Sequence, residues 1–228
     1  MSKTILVTGG AGHVGSNIIE LLVKDKNNRV ISLDNYFTGK KENHINGAEY
    51  RKGHTKDIEK LIPETPDIVY HLGEYARIAP SFDDVEKVYD MNIAGTFAVT
   101  EFCRKRKVGK LVYAASSTKF AIEGNGRHQN PYSFTKATNV DLINNYGQWY
   151  GLPYAICYFK GETFTVVKPG TQKRNFTYVK DLARGIILVG EKGNGDGYTL
   201  NNQKAFSVLE IAKAFGGPIK YIEGYPGR

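Results

Sequence analysis

Apolar residues fall in short β-branched runs, separated by stretches where they recur every three or four positions. Five runs read as buried strands: TILVTG from Thr4 to Gly9, RVISLD from Arg29 to Asp34, DIVYHLG from Asp67 to Gly73, KLVYAAS from Lys110 to Ser116, and YAICYF from Tyr154 to Phe159. Near-continuous apolar runs of this length need cover on both faces. Between them, Val14, Ile18, Leu21 and Leu22 mark one helix face, and Val85, Val88, Ile93, Phe97 and Phe102 mark another. NPYSFTKATNVDL, from Asn130, reads as the first turns of a third helix and sets Tyr132 and Lys136 four residues apart on one face. Strand and helix in repeated alternation predict an α/β fold, a doubly wound parallel sheet of the Rossmann kind. After Phe159 the character changes. Lys160 to Thr177 is strand-like and turn-rich, while Asp181 to Lys192 and Ser207 to Phe215 read as helices. No linker rich in Pro, Gly or Ser appears, so a second domain would pack closely on the first.

The first strand ends in GGAGHVG. Gly9, Gly12 and Gly15, with His13 and Val14 between the last two, sit where a strand passes into a helix. Glycine there lets the backbone turn tightly and approach a pyrophosphate, and the helix N-terminus offers unpaired N–H groups. Asp34 ends the next strand, nineteen residues after Gly15, and is followed by Asn35. A carboxylate in that place accepts from both hydroxyls of a ribose and repels a 2′-phosphate, which points to NAD rather than NADP. Lys40 and Lys41 follow closely, so NADP is disfavoured rather than excluded.

These features, with YHLGE, MNIAGT, AASS after a strand and then Tyr132-x-x-x-Lys136, occur in one order. The chain resembles the extended short-chain dehydrogenase/reductase family and, within it, the NAD-dependent nucleotide-sugar epimerases of the UDP-glucose 4-epimerase type. TGKKENH after Asp34 and KRNFTYVKDLARG from Lys173 to Gly185 extend the resemblance. It implies an NAD-binding Rossmann domain over residues 1–159. A small, incomplete substrate-binding portion would follow over 160–228, with about 173–200 returning to the first domain. It also implies roles. Tyr132 is the base that takes a proton from a sugar hydroxyl. Lys136 is the cation that favours its phenolate and contacts the nicotinamide ribose. Ser116 bonds the same substrate oxygen, with Ser117 as the near alternative. Free tyrosine ionises near 10 and is a poor base at neutral pH, so the adjacent cation matters. Asp57 and Ile58 fall where the family flanks the adenine. Leu72, Gly73, Glu74 and Tyr75 fall along the pyrophosphate, Asn92 beside the cofactor, and Tyr158 and Phe159 at its nicotinamide end. Arg174 falls on the substrate's diphosphate, where a guanidinium fork suits.

Several positions depart from the family. Glu74 stands where a small apolar residue is usual, and a carboxylate beside two phosphates is awkward unless it points away. Ser117 and Thr118 replace the acids that sugar-nucleotide dehydratases and decarboxylases carry after the catalytic Ser/Thr position, which argues for epimerisation at C4 of a UDP-hexose through a 4-keto sugar. A net reductase or dehydrogenase, or a catalytically impaired NAD-binding protein, are the competing expectations. CYFK runs directly into GETFTVV, with Lys160 in place of the usual Asn and without the segment that builds the sugar pocket. Either the chain lacks part of that pocket or the sequence joins ordered pieces of a longer one. Family-like sequence on both sides of the junction favours the second. Continuity of the backbone from Phe159 to Gly161 would separate the two.

Composition adds little beyond this. The 228 residues are 41% hydrophobic and 24% charged, with no apolar run of membrane-spanning length. The net charge of +8 is scattered. Its densest cluster, CRKRKVGK from Cys103, reads as the C-terminal end of a helix, where cations favour the dipole. A nucleic-acid partner is therefore not expected, whereas a small polyanionic substrate is. Cys103 and Cys157 lack metal-ligand spacing, so no metal is expected, and two buried thiols in a reducing cytoplasm are. The family resemblance implies a homodimer.

Overall fold

The computed structural model describes residues 2–120, 125–159, 166–167, 170–171, 173–214 and 221–222. Elements in chain order are β1 (Lys3–Thr8), α1 (His13–Leu22), β2 (Asn28–Asp34), β3 (Ala48–Lys52), α2 (Ile58–Leu61), β4 (Ile68–His71), α3 (Val85–Val88), α4 (Gly95–Lys105), β5 (Lys110–Ser116), α5 (Pro131–Tyr150) and β6 (Tyr154–Phe159). Then come β7 (Val166–Val167), β8 (Lys173–Arg174), α6 (Val179–Lys192), β9 (Gly195–Thr199), β10 (Phe206–Ser207), α7 (Val208–Ala214) and β11 (Tyr221–Ile222).

Successive strand residues point to opposite faces, and the burial follows that alternation. Ile5, Val7, Val30, Tyr70, Val112, Ala155 and Cys157 pack against Ile18, Ile19 and Leu22 of α1 and Leu182, Ile186 and Val189 of α6. Leu6, Ile31, Leu33, Val69, Leu111, Tyr113, Ile156 and Tyr158 pack on the other face, against Val99 and Phe102 of α4 and Val140 and Ile143 of α5. Each such side chain removed from water contributes about 1.5–3 kcal/mol, so each helix layer needs its sheet face. All pairs in the seven-stranded sheet are parallel, in the order β3-β2-β1-β4-β5-β6-β9. The doubly wound Rossmann expectation holds. Strand order reverses between β1 and β4, and ligands of open α/β sheets bind outside the strand C-termini at such a point.

The sequence reading missed β3 and β9. AEYRK is half exposed, and GDGYT carries two glycines at positive φ, so neither shows an apolar run. The chain after β6 returns to the sheet through α6 and β9, while β8 pairs with β10 and β7 with β11 in two small separate sheets. The junction at Lys160–Gly161 lies outside the described residues.

One helix face needs correction. Val88 and Phe102 are buried, but Val85 and Phe97 are exposed. Between α3 and α4 the chain runs as a π-helix over Tyr89–Ala94. Its wider turn breaks the 3.6-residue phase, so one apolar stripe cannot extend across it.

Candidate active site

Helix α5 begins where its sequence demands. Asn130 Oδ1 accepts from the Ser133 N–H at 2.8 Å, and Pro131 opens the helix without needing a hydrogen bond for its nitrogen. Gly151 closes it at φ 65°. This fixes Tyr132 and Lys136 on the first turns, against β5. Ser116 is the last residue of β5 and is buried; its Oγ lies 3.0 Å from Thr118 Oγ1. In the β5–β6 register Ser116 stands opposite Phe159.

The glycine cradle fits a dinucleotide. Gly9 has φ 72°, and a Cβ there would sit 2.9 Å from Leu72 carbonyl atoms and the Gly73 nitrogen, so the loops after β1 and β4 approach closely only because it is glycine. A Cβ on Gly15 would strike the Gly9 carbonyl oxygen and come within 2.8 Å of Gly10 Cα. Gly12 is the N-cap of α1, whose first N–H groups open toward the cradle. A narrow cleft lined by Gly9, Leu33, Asp34, Asn35, Gly53, Thr55 and Gly73 continues from it. Asp34 is buried there, with Oδ2 accepting from Ala11 N at 2.9 Å and Oδ1 from Tyr36 N at 2.7 Å. Those bonds aim the carboxylate and leave lone pairs for a ribose.

Other expected contacts fall differently. Asn92 is wholly buried, and its amide is taken by Tyr75 N at 2.7 Å, Tyr75 O at 3.2 Å and Thr135 Oγ1 at 3.0 Å. Its side chain clamps the loop after β4 at Tyr75. Ile58 is a core side chain, and Tyr158 is buried with its hydroxyl accepting from Lys119 Nζ at 2.6 Å. Asp57 is half-buried, in the turn before α2. Arg174 pairs along β8 with Phe206 of β10, and its side chain is outside the described residues, as is that of Phe159.

Glu74 gives the main surprise. Its carboxylate turns into the protein interior. It is buried among β5, α4 and α5, where Oε2 accepts from Lys136 Nζ. Oε1 accepts from Asn139 Nδ2 at 2.8 Å, Tyr113 Oη at 3.0 Å and Thr96 Oγ1 at 3.0 Å. Lys136 Nζ also donates to the Ala114 carbonyl and lies 4.6 Å from the Tyr113 ring centroid. A carboxylate only accepts, so Thr96 must spend its proton on Glu74. The Thr96 oxygen then accepts from His71 Nε2–H at 2.9 Å, and His71 Nδ1 accepts from Thr8 Oγ1–H at 2.7 Å. Thr8 Oγ1 in turn accepts from Gly73 N at 3.0 Å. One directed chain thus runs from the end of β1 to Glu74, where it meets the bond that Lys136 donates from the other side. Burial is the main cause holding His71 down to about 4, so its ring is neutral. Tyr113 is pushed well above the usual range, by burial first and then by the Glu74 charge, with the Tyr132 phenol a lesser contributor. Sequence reasoning flagged Glu74 only as a departure. It missed Thr8, His71, Thr96, Tyr113, Asn139 and Lys119, none of which carries a local signal.

The family model described as the NAD dependent epimerase/dehydratase family matches residues 5–160 and 153–201. The chain belongs to that family. The two matched pieces meet at β6, beside the junction noted in the sequence. A protein named as a putative UDP-glucose 4-epimerase from Methanocaldococcus jannaschii is 27% identical, with 95% of this chain and 85% of that protein covered. Their alignment runs over 259 positions, more than the 228 residues here, so the relative carries segments this chain lacks. UDP-glucuronic acid decarboxylase 6 of Arabidopsis thaliana is 28% identical, over 95% of this chain and 74% of that one. The structure of the Thermus thermophilus UDP-glucose 4-epimerase in complex with NAD superposes with a TM-score of 0.83 at 24% identity. It covers 99% of this chain and 88% of the other, and shows the shared fold.

Proposed function

We propose that this family member epimerises a nucleotide sugar, a UDP-hexose, at C4, with Ser116, Tyr132 and Lys136 as its catalytic residues. What supports the reading is placement along two adjacent elements: Lys136 is bonded to the Ala114 carbonyl, two residues before Ser116 on β5, and Tyr132 stands one turn before Lys136 on α5. NAD, when bound, would take hydride from C4 and return it to the other face. The chain's own residues do the rest. Ser116 Oγ orients the C4 oxygen, and Tyr132 removes its proton and later gives it back. Gly9, Gly12, Gly15 and Asp34 hold the cofactor, and Arg174 is the partner for the substrate's diphosphate. Ser117 and Thr118 in place of acids favour epimerisation over dehydration or decarboxylation, a contrast that matters because decarboxylases are among the relatives. The test is incubation of NAD-loaded protein with UDP-glucose, UDP-galactose and their N-acetyl forms, followed by proton NMR of the sugars. Interconversion at C4 without net NADH supports the reading. Stoichiometric NADH formation, or loss of carbon dioxide from a UDP-uronate, would sink it.

A weaker second reading is an NAD-binding protein with little turnover, favoured by the alignment that runs longer than this chain. An uncovered hexose would be poorly oriented, and misplacement by about 1 Å costs roughly a hundredfold in rate. A homodimer is part of the proposal, supported by exposed Phe97 on α4 and exposed Trp149 and Tyr150 on α5. A reducing cytoplasmic setting is supported by the free buried thiols of Cys103 and Cys157. No helix among the described residues is long and apolar enough to cross a membrane.

A further inference from the structure

The Lys136 ammonium does not face the active site as a bare cation. Two of its three N–H donors are engaged, one by Glu74 Oε2 and one by the Ala114 carbonyl. Glu74 and Lys136 are both buried, with side-chain exposures of 2% and 8%. At such depth neither charge is screened by water, so what Tyr132 experiences is the pair. The carboxylate is in turn immobilised by Thr96, Tyr113 and Asn139, from three different elements.

We propose that Glu74 is a positioning residue that pins Lys136 beneath Tyr132 and offsets its charge, so that an ion pair rather than a lone ammonium faces the catalytic phenol. This rests on the reading of Tyr132 as the base. Two consequences follow. First, the geometry leaves one lysine N–H for a ribose hydroxyl, so cofactor contact and ion pair coexist. Second, the phenol is only weakly activated in the resting protein, and the positive nicotinamide ring has to supply the remaining attraction. Proton removal is thereby tied to cofactor occupancy. The ionisable groups around the pair are His71 on β4, Tyr113 on β5 and Tyr132 on α5. His71 is neutral above about pH 4, and Tyr113 stays protonated, so neither adds a charge in the working range.

The test is a titration of Tyr132 itself, without turnover. Protein labelled with ¹³C at the tyrosine Cζ is saturated with NAD, and the Tyr132 resonance is assigned by its loss in Tyr132→Phe. In Glu74→Gln the lysine charge is no longer offset, and Tyr132 should titrate at lower pH, with roughly tenfold more phenolate at a given pH. Glu74→Asp, which keeps the charge, should restore most of the wild-type curve. Should Glu74→Gln fail to fold, the double variant Glu74→Gln with Lys136→Met replaces the pair by neutral groups. Its Tyr132 curve should stay close to wild type, because the pair it removes carries no net charge. An unchanged Tyr132 curve in folded Glu74→Gln overturns the proposal, as does a large upward shift in the double variant. Absence of epimerisation with the shift present would defeat the functional reading and leave this one standing.

Discussion

His71 makes the protein's acid sensitivity calculable. Its ring is wholly buried, bonded to Thr8 at 2.7 Å and Thr96 at 2.9 Å, and protonating it would force one of these hydroxyls to turn its proton elsewhere. Desolvation pushes its pKa down from 6.5 to about 4; the Glu74 charge opposes that shift, and the Lys136 charge adds to it. Between those values the unfolded chain binds the proton and the folded chain does not. Stability therefore rises with pH through this window; the contribution is complete above the unfolded value and is lost as pH falls toward the folded one. Integrating a single site with these two values gives about 2 kcal/mol lost between about pH 7 and about pH 5, and roughly 3 kcal/mol in full. That is a large fraction of the 5–15 kcal/mol typical of a folded domain. The assay is urea unfolding at a series of pH values for the wild type and for His71→Asn, which cannot take up a proton. The variant starts less stable, but its loss over the same window should be smaller by about 2 kcal/mol. Parallel stability curves for the two proteins would refute the assignment of a neutral, proton-excluding imidazole.

Three further outcomes are expected. Gly15→Ala drives a methyl group into the Gly9 carbonyl at the cradle, so calorimetric NAD affinity should fall at least roughly tenfold, with a stability loss of about 1–3 kcal/mol in urea. Wild-type protein should bind NAD more tightly than NADP, and Asp34→Ala should narrow that preference; equal binding by the wild type would contradict the role given to Asp34. Tyr132→Phe should lower kcat by at least roughly a hundredfold while leaving NAD affinity within about twofold, because the phenol is the base and the cradle carries the cofactor; retained turnover with any UDP-hexose would show another group to be the base.

What the sequence determined by itself was whatever depends on near neighbours. Five strands, the glycine turn, the start of a helix near Asn130 and the Tyr132–Lys136 spacing are all written within a few consecutive residues, where sterics and helical periodicity act directly. The same reasoning failed at Val85 and Phe97, because a π-helical turn between them changes the phase without any single residue announcing it. It failed at AEYRK and GDGYT, which become strands because β2 and β6 present open edges to them, not from apolar content of their own. Glu74 marks the boundary most sharply. As a letter it was an anomaly beside a phosphate site. Its meaning depends on Thr96, Tyr113, Lys136 and Asn139, which stand 22 to 65 residues away along the chain. Only a packed sheet with helices on both faces brings them to one point, and only burial makes a carboxylate and an ammonium there answer to each other rather than to water.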